Sequence, residues 1–437
     1  MDEKFAISTG GVELALRWDR GLRRNNNQDA YAIDIAKDEA TRRTRGHLFM
    51  VADGMGAHAA GELASKLAAD TIPLTYHKLH DQPAPSAIKQ AVVDANLKIH
   101  RRGEANLDFH GMGTTASVLL LLPEGAVVAH VGDSRVYRLR GSRLDQLSFD
   151  HSLVWELMSS ARMREEEVPN YIPKNVITRS LGPSLDVEVD LEGPFPIHPG
   201  DTYLLCSDGL TGQVKDGEIG AILNNLPPEE AATTLVDLAN LRGGPDNITA
   251  VVVRVVELPN GAVAVADSHD EPPRPSEQGV RPRWFFAGAA LVMLLAAIVT
   301  LLVAGGRSLL WIGFGLAAVL STVIALWPRR ATPNESEPGP PRLGRGPHTT
   351  RDCPAGPEFV GELKVLVEQL REGAVEEGWA LDWPKFDGHL QLARKNADLR
   401  DFGAAVREYS RAISFLMSER KRLRAEAEGR TVRDGGR

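Results

Sequence analysis

The chain predicts an α/β domain of about 250 residues on its N-terminal side, and two observations carry that expectation. β-Branched runs such as Ala126-Val127-Val128 and Ala250-Val251-Val252-Val253 alternate with helical stretches over residues 61–72, 84–102 and 228–241. The composition then changes sharply near residue 257. Residues 1–257 are therefore expected as one domain. Pro272, Pro273, Pro275 and Pro282 among polar neighbours mark 258–283 as a linker.

Residues 284–327 are almost wholly apolar, interrupted by Gly305-Gly306-Arg307-Ser308. The halves 284–304 and 309–327 each approach the roughly 20 residues needed to cross a hydrocarbon core. Both are apolar on every face rather than striped, which favours a transmembrane hairpin over a hairpin buried in a globular core. Arg281 and Arg283 precede it, Arg329 and Arg330 follow it, and Arg307 alone marks the turn, so the positive-inside rule puts both flanks in the cytoplasm. Trp284, Trp311 and Trp327 add aromatic anchors. The expectation is a multi-pass protein of the cell (inner) membrane, with the lipid bilayer as a partner and both the N-terminal domain and the C-terminal part cytoplasmic. So short a turn cannot form an external sensing domain.

A second Pro-rich polar linker is expected over 328–357, then a small all-α module over 358–426 and a polar tail over 427–437. Leu363, Val365, Leu366 and Leu370 form one apolar stripe, and Leu390, Leu392 and Ala393 begin another. Ala393 with Phe402, Ala405, Tyr409, Ala412 and Ile413 resembles part of a tetratricopeptide (TPR) helix pair, which would offer a protein partner a docking surface. The alternative is a helical bundle that packs on itself or on the N-terminal domain.

Composition narrows the function classes. The 43% hydrophobic content is ample for a core, and 50 basic against 58 acidic residues leave a net charge of −8, which offers no general attraction to nucleic acid. Two cysteines, Cys206 and Cys353, favour a reducing compartment over a disulfide scaffold. Met1-Asp2-Glu3-Lys4 lacks the basic and apolar regions of a signal peptide, so export of the N-terminal domain is not expected.

Four aspartates carry the chemistry. They stand in Asn27-Gln28-Asp29, Val51-Ala52-Asp53-Gly54-Met55-Gly56, Cys206-Ser207-Asp208-Gly209 and Gly244-Pro245-Asp246-Asn247. Carboxylates beside apolar strand-like runs need partners, and a hard divalent cation serves several at once. An all-oxygen set suits Mg²⁺ or Mn²⁺; zinc would recruit His or Cys at ligand spacing. Two such ions about 3.5–4 Å apart can hold and activate a water for in-line attack on phosphorus, with no side-chain nucleophile. The chain accordingly contains no P-loop, no Gly-x-Ser-x-Gly elbow and no His-Glu-x-x-His string.

An ordered set of strings now converges: Arg24-x-x-Asn27-Gln28-Asp29-Ala30, Asp53-Gly54-Met55-Gly56-Ala57-His58-x-x-Gly61-Glu62, Gly113-Thr114-Thr115, Gly132-Asp133-Ser134-Arg135, Asp150-His151-Ser152-Leu153, Thr178-Arg179-Ser180-Leu181-Gly182, Ser207-Asp208-Gly209-Leu210 and Asp246-Asn247-Ile248-Thr249. In that order, over roughly residues 9–256, they resemble the bacterial form of the PP2C-type (PPM) metal-dependent protein phosphatases. The resemblance implies a four-layer α-β-β-α sandwich of two antiparallel sheets with metals in a cleft at one edge. It implies that Asp53 bridges two Mn²⁺ or Mg²⁺ ions, that Gly54 offers its carbonyl to one, and that Asp208 and Asp246 hold the other. Asp29 would act through metal-bound water, Asp133 with Asp208 would hold a third, weaker ion, and Arg24 would grip the substrate phosphate. His58 matches a histidine of the bacterial motif and is a candidate general acid or, alternatively, a packed residue. Gln28 stands where the family often has Glu, and Ala57 where it often has Gly. Asp150, His151 and Ser152 read as a loop and N-cap, and 162–176 as a flap beside the site.

The function implied is hydrolysis of phosphoserine and phosphothreonine on cytoplasmic proteins, either kinase substrates or a kinase, by a membrane-tethered enzyme opposing a protein kinase. Two alternatives stay open: a catalytically silent phosphoprotein-binding scaffold, and a phosphatase dedicated to one regulatory partner.

Overall fold

The computed structural model describes residues 3–56, 59–161, 167–168, 172–173, 176–258 and 342–434. In chain order its strands are β1 (Glu3–Thr9), β2 (Val12–Asp19), β3 (Asp29–Asp34), β4 (His47–Met55), β5 (Gly113–Thr114), β6 (Ala116–Leu122) and β7 (Gly125–Val131). They continue with β8 (Arg135–Arg140), β9 (Arg143–Gln146), β10 (Asp190–Phe195), β11 (Thr202–Cys206), β12 (Ile248–Val255) and β13 (Thr349–Asp352). The helices are α1 (Glu39–Thr44), α2 (Ala60–Lys78), α3 (Ala84–Glu104), α4 (Leu153–Ala161), α5 (Asp208–Thr211), α6 (Asp216–Asn225) and α7 (Pro228–Leu241). The last three are α8 (Pro357–Glu376), α9 (Trp383–Asp398) and α10 (Phe402–Asp434).

Two antiparallel sheets result, ordered β1-β2-β12-β11-β8-β9-β13 and β10-β7-β6-β4-β3, with β5 paired to β4. Side-chain parity explains how they stack. Along β4, Leu48, Met50 and Ala52 pack with residues of α2 and α3, whereas Phe49 and Val51 enter the core between the sheets. Along β11, Tyr203 and Leu205 enter that same inner core, and Leu204 and Cys206 turn to α6 and α7. A strand that buries both faces must have a layer on each side, so helix, sheet, sheet and helix follow from the two continuous apolar runs.

The polar stretch expected as a linker over 328–357 is corrected from residue 342 onward, because its backbone finds partners on the sheet edges. Leu343 and Gly193 exchange backbone hydrogen bonds (3.1 and 2.5 Å), and β13 pairs with β9. Gly346 N donates to Glu192 Oε2 at 2.7 Å, and His348 Nε2 lies 3.0 Å from Glu192 Oε1. Residues 342–353 thus form a strap from the β10 edge of one sheet to the β9 edge of the other. Cys353 is buried at its end, seated where a Cβ on Gly220 would clash at 2.4 Å.

Helices α8, α9 and α10 share one buried cluster with α6 and α7. Ala393, Ala405, Tyr409, Ala412 and Ile413 are all buried there. Through that cluster the three helices dock on the N-terminal domain. Helix α10 also runs to Asp434, through most of the stretch read as a polar tail. Among the described residues no helix is long and apolar enough to cross a membrane. The hairpin expected over 284–327, and all but the first residue of the 258–283 linker, lie outside the described residues.

Candidate metal centre

Antiparallel pairing gathers the carboxylates at one end of the sandwich. β3 begins at Asp29 and β4 ends just past Asp53, and these two are cross-strand partners. In the facing sheet β11 ends just before Asp208, and β12 starts just after Asp246.

Asp29 is buried. Its Oδ2 accepts from Ser207 Oγ (2.7 Å) and Thr249 Oγ1 (2.6 Å), while its Oδ1 is buried with no hydrogen-bond partner. Burial, opposed by those hydroxyls and reinforced by Asp208 and Asp246, pushes its pKa up to about 7. Asp53 is fixed through its backbone: its amide donates to Thr115 Oγ1 (2.8 Å), and its carbonyl accepts from Thr115 N and Thr114 Oγ1 (both 2.9 Å). Burial and the charges of Asp29, Asp208, Asp133 and Asp246 hold its carboxyl well above the usual range. Asp133 follows Gly132 at the end of β7; burial, then Asp208 and Asp150, push it up to about 8, and its Oδ1 is also buried without a partner. Asp208 opens α5, is raised by burial and by Asp246, lies within hydrogen-bond reach of Asp53, and has an unpartnered Oδ1 as well.

Those three orphaned oxygens fit hard divalent cations. Among the described residues no three acid, imidazole or thiol groups converge on a single point. An ion that keeps several of its waters needs only one or two carboxylates, and carboxylates spread along a sheet end suit two ions better than one.

Gly54, on β4, donates its amide to Gln28 O (3.1 Å), and a Cβ there would lie 2.2 Å from Gly61 O. Strand end and first helical turn meet backbone to backbone, which a side chain would prevent. Arg24 stands exposed at the rim, its Nη2 donating to Asp246 Oδ2 at 2.6 Å. That bond raises the guanidinium pKa and holds the planar donor in place. His58 and Ala57 lie outside the described residues, as does most of 162–176.

Sequence reasoning missed the residues that hold these groups. Ser207, Thr249 and Thr115 bond Asp29 and Asp53 as above. Asn247 ties three segments, its Nδ2 donating to Arg20 O and Asn26 O (2.9 Å each) and its Oδ1 accepting from Gln28 N (2.8 Å). All four sit inside the quoted strings, but nothing in a string says which neighbour its polar side chain meets. His151 does more than shape a loop: its Nδ1 accepts from Gly132 N (2.9 Å) and its amide donates to Gly132 O (2.7 Å), clamping the residue before Asp133.

The raised carboxyls give a signed pH dependence for the metal-free protein. A group with folded pKa above its unfolded value binds more protons when folded, so its stabilisation is lost as pH rises through the folded pKa. Asp29 and Asp133, at about 7 and 8 from a starting value of 3.8, spread that loss from about pH 4 up to about pH 8, and above pH 6.5 it runs without the opposing histidine. The buried His130, depressed by burial to about 3, contributes in the opposite sense only below its unfolded value of 6.5. In EDTA, stability is therefore expected to fall by on the order of 2 kcal/mol, several degrees in Tm, between pH 6.5 and 8.5. Mn²⁺ should reverse the fall. A flat or rising Tm over that window would contradict the crowded-carboxylate site.

A model described as protein phosphatase 2C matches residues 20–240. The serine/threonine phosphatase stp of Listeria innocua is 36% identical over 247 residues, 55% of this chain and 95% of that protein. Protein phosphatase PhpP of Streptococcus pneumoniae is 35% identical over 250 residues, 56% of this chain and 98% of that protein. Among solved structures, the serine/threonine phosphatase Stp1 of Staphylococcus aureus aligns with a TM-score of 0.50 at 29% identity, over 58% of this chain and 98% of that one. With half the chain matched to the family model and each relative spanned almost end to end, the chain belongs to the protein phosphatase 2C family of serine/threonine phosphatases.

Proposed function

We propose that this chain hydrolyses phosphoserine and phosphothreonine on cytoplasmic proteins with Mn²⁺ or Mg²⁺, tethered to the membrane by 284–327 and opposing a protein kinase. The observation that carries the reading is the set of mutually repelling carboxyls of Asp29, Asp53, Asp133 and Asp208, three of which, Asp29, Asp133 and Asp208, keep an orphaned oxygen. Asp53, Asp208 and Asp246, with the Gly54 carbonyl, would hold the main pair of cations, and Asp133 a weaker third. Bound there, such cations supply Lewis-acid stabilisation of phosphoryl oxygens and activation of water. The chain's own contribution is placement. Ser207 and Thr249 aim Asp29, Thr115 locks Asp53, and Arg24 presents a charged bidentate donor at the rim where a phosphate arrives. Retention of Asp29, Asp53, Asp133, Asp208 and Asp246 argues against the silent scaffold.

Full-length protein is expected to turn over a phosphothreonine peptide with Mn²⁺ and to lose turnover in EDTA. Arg24→Ala should raise KM by about 10- to 100-fold, the loss of a hydrogen bond to a charged group. Turnover indifferent to EDTA would sink the metal reading. For the tether, excision of 259–341 should release the protein from membrane fractions into the supernatant; unchanged sedimentation would remove it.

A further inference from the structure

We propose that Lys421, on the C-terminal helix α10, is a positioning residue for the substrate phosphate, acting through Asp19 on the loop that carries Arg24. The proposal rests on the reading of Arg24 as the phosphate-binding residue.

Asp19 ends β2 with its side chain only 3% exposed. Its Oδ1 accepts from Gly21 N (3.0 Å) and Asn240 Nδ2 (3.1 Å), and its Oδ2 receives Lys421 Nζ at 2.5 Å. Arg17 Nη2 stands farther off, at 3.9 Å. Burial alone would raise this carboxyl; the charge and hydrogen bond of Lys421 lead the groups that bring it below its usual value. Asp19 therefore stays an anion, and an anion is the better acceptor for Gly21 N.

That bond sets the first turn of the loop. Gly21 has φ +76°, and a Cβ there would lie 2.1 Å from Asp246 O. Leu22 N and Arg23 N then donate to Gly244 O (2.9 and 3.3 Å), and Arg24 reaches Asp246. The loop from Asp19 to Arg24 thus lies on the loop that presents Asp246, and its root is held by a lysine 402 positions away. Without the countercharge, a buried Asp19 must take up a proton or open toward water, and either change weakens the Gly21 turn. The relatives above are almost fully spanned by 247 to 250 aligned residues, so they have no room for a counterpart of this lysine.

A second ion pair supplies the control. Arg411 of α10 binds Glu230 of α7 through Nε and Nη2 (2.8 and 3.0 Å), and this pair makes no contact with the Asp19 loop among the bonds described. Docking and loop placement are therefore separable.

Full-length variants are assayed on a phosphothreonine peptide with saturating Mn²⁺, beside Tm. Lys421→Met is expected to raise KM about 10-fold with kcat within about 2-fold, because a displaced binding group costs affinity before chemistry. Lys421→Arg should restore KM to within about 2-fold of wild type. Arg411→Met should lower Tm and leave KM unchanged. Where Lys421→Met does not fold, Lys421→Gln is read on the same axes. An unchanged KM in the folded Lys421 variant, with Arg24→Ala raising KM, overturns the proposal alone. An equal KM rise in Arg411→Met also overturns it, since the effect would then be loss of docking. An unchanged KM in Arg24→Ala overturns the phosphate-binding reading, and the proposal with it.

Discussion

Asp53→Asn is expected to lose about 10²- to 10³-fold in kcat/KM, yet to melt at a higher temperature than wild type in EDTA. Removing a single preorganised electrostatic group from an active site costs about 10²- to 10³-fold, and Asp53 is the carboxylate that faces all the others: Asp29, Asp208, Asp133 and Asp246 each act on it. The substitution keeps the shape, and the backbone bonds to Thr114 and Thr115 do not involve the side chain. What it removes in the metal-free protein is a carboxyl opposite Asp29 on the neighbouring strand that must either carry like charge there or take up a proton, and both cost stability. Function and stability therefore part at this position, as they do wherever a site holds unfavourable charge ready for a ligand. Activity within about 10-fold of wild type, or a lower Tm in EDTA, would remove Asp53 from the centre of the site.

The ends of strands were the legible part of this site. A continuous apolar run shows where a buried strand stops, so Asp53 and Asp208 could be placed at strand ends, and Asp246 before a strand, from local text alone. The family resemblance supplied the pairing of the sheets, which the runs themselves could not: Leu48 and Phe49 are equally apolar, and nothing local says that one meets α2 and the other the inner core. The supporting hydroxyls were visible as residues but not as partners. The strap was not legible at all. Its contacts are mostly backbone hydrogen bonds to β9 and Gly193, which leave no side-chain signature, and Thr349-Thr350 is a faint β-branched hint in polar, Pro-rich surroundings. Docking of the C-terminal helices depends on matches such as Cys353 to Gly220 and Lys421 to Asp19, whose partners are far apart in sequence and chemically ordinary on their own.

Ending the chain after residue 258 is expected to lower Tm by on the order of 10 °C, whereas excising 259–341 and rejoining the ends through a long Gly/Ser linker should leave Tm nearly unchanged. The difference is the strap and the helices beyond it. Truncation opens the β9 edge and removes Thr350 Oγ1 from Asp145, a carboxylate with no exposure that is paired to the equally buried Arg138 at 2.7 Å. It takes Gly346 N and His348 from Glu192, which is only 6% exposed, and Lys421 from Asp19. Breaking one side of a buried pair costs about 3–5 kcal/mol, and for a domain of this size each kcal/mol is worth about 2–4 °C. The loss is not expected to abolish folding, since relatives of about this length align along almost their whole chains. Thermal unfolding of the two deletions in Mn²⁺ separates the readings. Equal Tm values for the truncated and full chains would mean that the strap and α10 are appended to a self-sufficient sandwich; a large drop confined to the truncation makes them part of it.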